Sequence, residues 1–454
     1  MTRTMEQEPV TEAASYIESF EGFERQAQQP AWLHSLRQAG ISGFRSQGFP
    51  TVRDEDWRFT NVAPISRLAL QSVGEAPPEG AAVEALKRAP FQKLSGNRLV
   101  FVDGYYSATL STRRPLPAGV VALNVASALN GDSAFLEKHL GRYAQPKGNA
   151  FAALNQAFFM DGAFIHVPAG VQIADPIQLI FISTAETAGA AVHPRNLVFA
   201  EAGSSVTVVE SYVSLRNRAY LTNAVTELIA GDTAQVEWVK LQDEAADAYH
   251  LATIHGQFGR ASNVKVHSFA LGARLSRTHI RAKLAGEGLE CVLNGLYLTR
   301  NEQLADHHMI VEHAEPHCAS HEYFNGILDD KSKGVFHGRI YVHQSAQKTD
   351  AKQTNKNLLL SDDATVDTKP QLEIYADDVK CTHGATVGQL NTEAIFYLRS
   401  RGLGVDTARQ MLIHAFAGEI IERVRYEPAR EELDKIVWAR LENNPHLVAT
   451  GDRG

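Results

Sequence analysis

The chain has 454 residues, enough for about two or three domains with a large core. It carries 44 Lys and Arg against 52 Asp and Glu, and this net charge of −8 excludes the strongly basic surface typical of proteins that bind nucleic acid or anionic membranes. Cys291, Cys318 and Cys381 are widely spaced, the polar start has no apolar signal core, and the apolar runs fall short of the roughly 18 residues of a spanning helix. We therefore expect a cytoplasmic protein without disulfides.

Residues 1–150 predict a mostly helical N-terminal region. Pro30 stands before Trp32, Leu33 and Leu36, which are spaced as on one face of a helix, and Gly40 follows as a predicted helix end. The segment EAPPEGAA, residues 75–82, has the composition of a loop or linker.

Residues 151–388 predict a β-rich core, because short runs of Val, Ile, Thr, Phe and Tyr alternate with turn residues and show almost no helical periodicity. Turn glycines recur at nearly equal intervals, at Gly203, Gly231, Gly259 and Gly286. Such a regular period favours a β-solenoid, in which each strand pairs with its equivalent one coil later. A β-sandwich with regular turn spacing is the alternative.

Residues 389–454 predict a C-terminal helical domain. Thr392 and Asp406 are candidate caps of two helices, Gly402 is a candidate stop between them, and a third helix is expected from about Ala429. One apolar stripe is predicted on the second helix, at Ala408, Met411, Leu412, Ala415, Phe416, Ile420 and Val424. We expect this stripe to pack on the end of the solenoid or on another protein.

The common catalytic signatures are missing from the sequence. It contains no phosphate-binding GxxxxGK[ST] loop, no GxGxxG after a predicted strand, no GxSxG elbow and no HExxH. These absences argue against a nucleotide-hydrolysing or hydrolytic enzyme of a familiar type.

The first candidate site lies in YADDVKCTHGATVG, residues 375–388. Side chains alternate across a strand, so Cys381 and His383 are expected on one face, with Lys380 and Thr382 on the other. A thiolate beside an imidazole is half of a metal site, because zinc and iron–sulfur centres usually take about four ligands. The alternative is a packed cysteine beside a hydrogen-bonded histidine.

The second candidate site is the run DHHMIVEHAEPHCASHEYFNG, which holds five histidines. Imidazole suits iron and zinc, so a free-standing metal-binding β-helix protein is an alternative function. No pair in the run has a specific zinc spacing, however. The histidines concerned are His307, His308, His313, His317 and His321.

Several long segments resemble the SufB/SufD family of scaffold proteins for iron–sulfur cluster assembly. The similarity runs through RDEDWRFTNV, FAALNQAFFMDGAFIHVPAGV and PHCASHEYFNGILDDKSKGVFHGRIYVHQ to the segment that ends in YADDVKCTHGATVG. The Cys-Thr-His-Gly sequence at Cys381 and the Asn355 before the Leu-Leu stretch resemble the SufD branch rather than the SufB branch.

The resemblance implies a right-handed parallel β-helix between helical terminal regions, and a scaffold rather than an enzyme. It implies a complex with one SufB paralogue and two copies of the SufC ATPase, which grips the C-terminal helices. It also implies that His383, with Cys381 as a further candidate, binds iron or a transient iron–sulfur cluster at the junction with SufB. No cofactor is expected to stay on the lone chain, and the sequence leaves open whether that chain forms a homodimer.

Overall fold

The computed structural model describes residues 10–26, 29–68, 71–72, 79–186 and 189–442. The protein is mainly β, with 41% strand and 25% helix, and its centre is a β-solenoid of about eight turns. The predicted fold class, a β-solenoid between helical terminal regions, is therefore confirmed. No helix in these ranges has both the length and the apolar character needed to cross a membrane.

The helices of the described ranges cluster near the two ends of the chain. They are α1 Val10–Gln26, α2 Ala31–Gln47, α3 Ala63–Ser66, α4 Glu79–Arg88, α5 Val125–Ala128, α6 Ser133–His139, α7 Ala150–Phe158, α8 Thr392–Ser400, α9 Val405–Ile421 and α10 Glu427–Glu442. A 3₁₀ turn spans Glu55–Trp57.

The strands fill the middle of the chain. They are β1 Gln71–Ser72, β2 Asn97–Val102, β3 Tyr105–Thr112, β4 Val121–Asn124, β5 Ala163–Val167, β6 Ile177–Ser183, β7 Ala190–Val192, β8 Arg195–Ala200, β9 Ser205–Ser214, β10 Leu221–Ala230, β11 Gln235–Asp243, β12 Tyr249–Phe258, β13 Asn263–Ala270, β14 Leu275–Leu284, β15 Glu290–Thr299, β16 Leu304–His313, β17 Ala319–Leu328, β18 Lys333–Val342, β19 Asp350–Leu359, β20 Thr365–Ile374 and β21 Lys380–Gly388.

Alternate strands build two sheets that face each other across the core. The first sheet runs β4-β5-β8-β10-β12-β14-β16-β18-β20, and the second runs β3-β2-β6-β9-β11-β13-β15-β17-β19-β21. From β8 onward every pairing joins a strand to its equivalent in the next coil, in parallel. The coil length varies, because the step from Tyr249 to its partner Leu275 is shorter than the step from Lys333 to its partner Thr365. The β structure begins before residue 150, since β2, β3 and β4 join these sheets, while the predicted domain limits stay a prediction.

The glycine repeat marks one turn in successive coils. Gly203, Gly231, Gly259 and Gly286 each follow a strand of the first sheet, β8 to β14. A Cβ on Gly231 would lie 2.7 Å from the backbone nitrogen of Ala202, in the turn of the preceding coil. Turns that stack this closely leave no room for a side chain, which explains the period.

Helix α2 does not end at Gly40 as predicted. It continues to Gln47, because Gly40 is where α2 touches α7: a Cβ there would lie 2.7 Å from the backbone nitrogen of Ala157. This glycine is therefore a close-packing residue rather than a stop. In the predicted loop, residues 75–78 lie outside the described ranges, and Glu79 already begins α4.

Helices α9 and α10 pack against the outer face of the second sheet rather than the solenoid end. The buried apolar side chains of α9 are Ala408, Ile413, Ala417, Ile420 and Ile421. The predicted stripe is thus only partly right, because Met411 is exposed and Ile413 takes the central position. The expected third helix is α10, which buries Ala429, Leu433, Val437 and Leu441.

The predicted capping residues are also corrected. Asn391 caps α8, since its side-chain oxygen accepts hydrogen bonds from the backbone nitrogens of Glu393 and Ala394. Thr392 is the first helical residue, and Gly402, at φ 90°, lies in the turn that follows the helix. Gly404 precedes α9, so Asp406 lies in its first turn.

Candidate functional site

The solenoid has an open end formed by β20 and β21, the last strands of the two sheets. Strand β20 pairs only with β18, and β21 only with β19, among the described residues. Each strand therefore has one edge with backbone N–H and C=O groups that no neighbouring strand pairs. Most residues of β21 are exposed, whereas strands of the preceding coils are largely buried.

Cys381 and His383 lie on the inner side of this open end. Cys381 stands opposite Ala351, and His383 stands opposite Gln353. One coil earlier these columns continue through Ser320 and Glu322, which are fully buried in the interior. The two candidate ligands thus extend columns of inward-facing residues onto the last strand.

The two side chains differ in surroundings. Cys381 is partly buried and packs with Ile340, Val342 and Ala351. This burial, helped by the Asp350 carboxylate, raises the pKa of the Cys381 thiol above its ordinary value. His383 is exposed.

The site is chemically incomplete within this chain. No group of three or more His, Cys, Asp or Glu side chains within metal-binding reach includes Cys381 or His383 in the part of the chain that the structure describes. Iron and zinc centres usually take about four ligands. Further ligands would have to come from another molecule.

Asn355 lies buried in β19 and offers no thiolate near this end. Its side chain donates to the carbonyl oxygen of Phe324 and accepts from Asn357.

Buried polar side chains that sequence reasoning missed lie behind the open end. Gln353 Nε2 donates to Glu322 Oε2 at 2.7 Å. Burial raises the pKa of Glu322 to about 8, so this carboxyl group is largely protonated at neutral pH. The sequence alone does not show that this strand glutamate is buried, because its burial depends on the register between coils.

The five histidines between residues 307 and 321 do not form one site. His307 faces the interior, against the rings of Tyr297 and Phe324, with Nε2 3.1 Å from Ser268 Oγ. His308 follows it on the same strand and faces outward. Burial lowers the pKa of His307 to about 3 and that of His308 well below its ordinary value, so both imidazoles are neutral at physiological pH.

The other three histidines of the run are separated in the same way. His313 Nε2 lies 2.8 Å from Ser320 Oγ inside the solenoid. His317 is exposed in a turn, and His321 lies 4.0 Å from the Asp350 carboxylate. Of these five histidines, only His308 belongs to a group of three or more possible metal ligands within the described ranges.

A second exposed feature lies beside the open end, on helix α8. Phe396 and Tyr397 are 73% and 58% exposed, although both are large aromatic side chains. Tyr375 and Val387, near the ends of β20 and β21, are also exposed. Exposed apolar groups of this size commonly mark interaction surfaces.

Family models match nearly the whole chain. Residues 181–416 match the SufBD core domain of the SUF system for FeS cluster assembly, and residues 10–179 match the SufBD protein N-terminal region. The chain belongs to the SufBD family. The resemblance noted from the sequence is thereby confirmed.

Individual SufBD proteins show the same relationship. An iron–sulfur cluster assembly SufBD family protein of Synechocystis sp. is 33% identical over 417 residues, covering 90% of this chain and 91% of the relative. The iron–sulfur cluster assembly protein SufD of Escherichia coli is 33% identical over 425 residues, covering 93% and 94%. SufD of Bacillus subtilis is 26% identical over 437 residues, covering 93% and 97%.

Proposed function

We propose that this chain is a SufD-type, non-catalytic scaffold subunit of a cytoplasmic complex that assembles iron–sulfur clusters. In this proposal the open end of the solenoid meets a SufB-type paralogue, and Cys381 and His383 contribute to a shared site for incoming iron or a nascent cluster. The incomplete pair on an unpaired terminal coil is the observation that carries the proposal. The family and the SufD relatives support it.

The open end suits association with a second solenoid. Exposed sheet edges readily pair with another strand, and native proteins usually protect them. Strands β20 and β21 leave both sheets open at one end, so a partner that presents two terminal strands would continue both sheets. The same geometry would serve a homodimer of the lone chain.

His383 is the first candidate for an iron ligand. Its imidazole is exposed, and imidazole suits iron. Cys381 is the second candidate, because its thiol has a raised pKa in the free chain and metal binding requires the thiolate. A cation at the junction would favour that deprotonation. The SufB-type partner would supply the remaining ligands, and the cluster would be cargo rather than a resident cofactor.

The C-terminal helices offer a surface for a SufC-type ATPase. Phe396, Tyr397 and Met411 are exposed there, while the opposite side of α9 packs on the second sheet. ATP-driven movement of the ATPase could therefore reach the solenoid through α9. ATP hydrolysis would belong to the partner, since this sequence has no phosphate-binding loop.

Iron and acid-labile sulfide, measured after anaerobic purification with the SufB and SufC partners, test the proposal. His383→Ala should lower the acid-labile sulfide content, and the iron that accompanies this sulfide, about tenfold or more, as expected for loss of a metal ligand. Thr382→Ala is the matched control, since it alters the neighbouring residue on the other face of β21. Equal cluster content in the His383→Ala complex and the wild-type complex would refute the ligand role.

A further inference from the structure

A column of histidines lies on the outer face of the first sheet, away from Cys381 and His383. His279, His308 and His337 occupy β14, β16 and β18 and stand directly opposite one another. They recur at equal spacing along the chain, one in each of three successive coils. The ring centroids of His308 and His337 are 4.2 Å apart, and those of His279 and His308 are 4.8 Å apart.

The N-terminal segment around the 3₁₀ turn lies over this column. Arg277 Nη2 donates to the carbonyl oxygen of Asp56 at 2.9 Å, and the Arg277 guanidinium lies 3.9 Å from the Trp57 ring centroid. Thr60 donates to the buried carboxylate of Asp306. These contacts hold Asp56 so that its Oδ1 lies 3.8 Å from His308 Nε2.

Among the described residues, His308 has no hydrogen-bond partner on either ring nitrogen, although it is fully buried. His279 Nε2 is also buried, with no partner in the part of the chain that the structure describes. The neighbouring buried His307 and His313 differ from His308, since Nε2 of each has a hydroxyl within hydrogen-bond distance, although His307 Nδ1 has no partner among the described residues. Buried polar atoms are almost always bonded, so the two nitrogens of His308 are available to a ligand.

Three side chains, including His308 itself, bring possible metal-ligand atoms close together at this point of the column. Asp56, His308 and His337 each offer one ligand atom, and these atoms lie within 4.8 Å of one another. Metal–ligand bonds of about 2.1 Å place ligand atoms roughly 3.4 Å apart. Small movements of the three side chains toward one another would therefore bring their ligand atoms to the distances that one metal ion requires. The Asp56 side chain is 42% exposed, which leaves it free to adjust and gives an ion access from solvent.

The surroundings also suit a cation. His337 Nε2 lies 2.7 Å from Gln371 Oε1, and an N–H donated to that oxygen leaves the lone pair on Nδ1. The positive side chains near the column each have a carboxylate partner. These pairs are Arg277–Asp306, Lys369–Glu55 and Arg339–Glu373.

We propose that Asp56, His308 and His337 form a second metal site, which binds a divalent first-row transition ion such as Fe²⁺ or Zn²⁺. Two imidazoles and one carboxylate, with further positions open, are a set that such ions accept. The ion would fasten the N-terminal segment to the solenoid. The site is independent of the shared site proposed at Cys381 and His383, and it would be occupied in the lone chain.

Anaerobic titration of the full-length chain with Co²⁺, followed by its visible absorption, and then competition with Zn²⁺ and Fe²⁺, tests this site. We expect one Co²⁺ per chain, bound about tenfold or more weakly by Asp56→Asn. Glu55→Gln is the matched control, since it changes the adjacent carboxylate, which pairs with Lys369 instead. Glu55→Gln should bind Co²⁺ as the wild type does.

Added Zn²⁺ should also raise the melting temperature of the wild type, and of Glu55→Gln, more than that of Asp56→Asn. Asp56 is partly exposed, so its substitution by Asn should leave the protein folded. The proposal is overturned if the wild type binds no ion, which would leave an ordered water as the partner of His308. It is equally overturned if Asp56→Asn binds Co²⁺ with wild-type affinity, or if His383→Ala abolishes binding.

Discussion

Replacing Glu322 by Gln should change how the stability of the protein depends on pH. Glu322 is fully buried and accepts one hydrogen bond, from Gln353, while its other oxygen has no partner among the described residues. Burial raises its pKa from the ordinary 4.5 to about 8. The folded state therefore keeps a proton that the unfolded chain releases, over the range between these two values.

The sign follows from proton linkage. Between pH 4.5 and about pH 8 the folded state binds more protons at Glu322 than the unfolded state does, so rising pH favours unfolding. The stability that Glu322 contributes is complete below 4.5 and is lost as pH rises to about 8. The greatest slope is about 1.4 kcal/mol per pH unit, so pH 5 and pH 7 should differ by about 2 to 3 kcal/mol at this residue.

Urea unfolding of the wild type and Glu322→Gln, at several pH values between 5 and 8, provides the measurement. The Gln side chain keeps the shape and cannot titrate, so its stability relative to the wild type should increase steadily with pH. Glu287→Gln, at a glutamate that is 58% exposed, is the control and should show no such trend. A difference between Glu322→Gln and the wild type that stays constant across this range would refute the buried-proton argument.

Three further substitutions test the packing of the coils, the packing of the C-terminal helices and the proposed docking surface. Gly286→Ala should destabilise the protein by about 1 to 3 kcal/mol in urea unfolding, since its Cβ would meet Arg260, whereas Gly388→Ala, with open space around it, should not. Ile413→Ala should cost about 2 to 4 kcal/mol in the same assay, because this fully buried side chain joins α9 to the second sheet. Phe396→Ser should change stability by less than about 0.5 kcal/mol, but should reduce co-purification of the proposed SufC-type partner. Unchanged co-purification would contradict the proposed docking surface.

The solenoid could be predicted from the sequence because its turns impose a local requirement. Where one turn lies on the backbone of the turn before it, as at Gly231 and Gly259, only glycine fits, and the requirement recurs once per coil. The agreement ended after Gly286. The corresponding turns after β16 and β18 contain no glycine, so the repeat cannot be followed further in the sequence.

The candidate site was predictable only where it is local. Cys381 and His383 are two residues apart on one strand, so alternation alone assigns them a common face. Asp56 and His308 lie far apart in the sequence, and no local pattern joins them. The equal spacing of His279, His308 and His337 was the available signal, and it becomes visible only when histidines are compared between coils.

The apolar surface of α9 was predicted only in part, for a physical reason. Apolar residues surround this helix, so periodicity alone does not select one face. The outcome is decided by tertiary contacts, including the hydrogen bond from Asn325 Nδ2 to the carbonyl oxygen of Phe416.

The packing of the C-terminal helices has a consequence for how the molecule unfolds. A solenoid whose coils touch only their neighbours behaves as a one-dimensional chain, which can fray from either end. Here α9 and α10 share one apolar cluster with six strands of the second sheet, from Val209 in β9 to Leu358 in β19. The two helices thus connect coils that are not neighbours in the solenoid. These coils should therefore lose their amide protection against hydrogen exchange together rather than one after another.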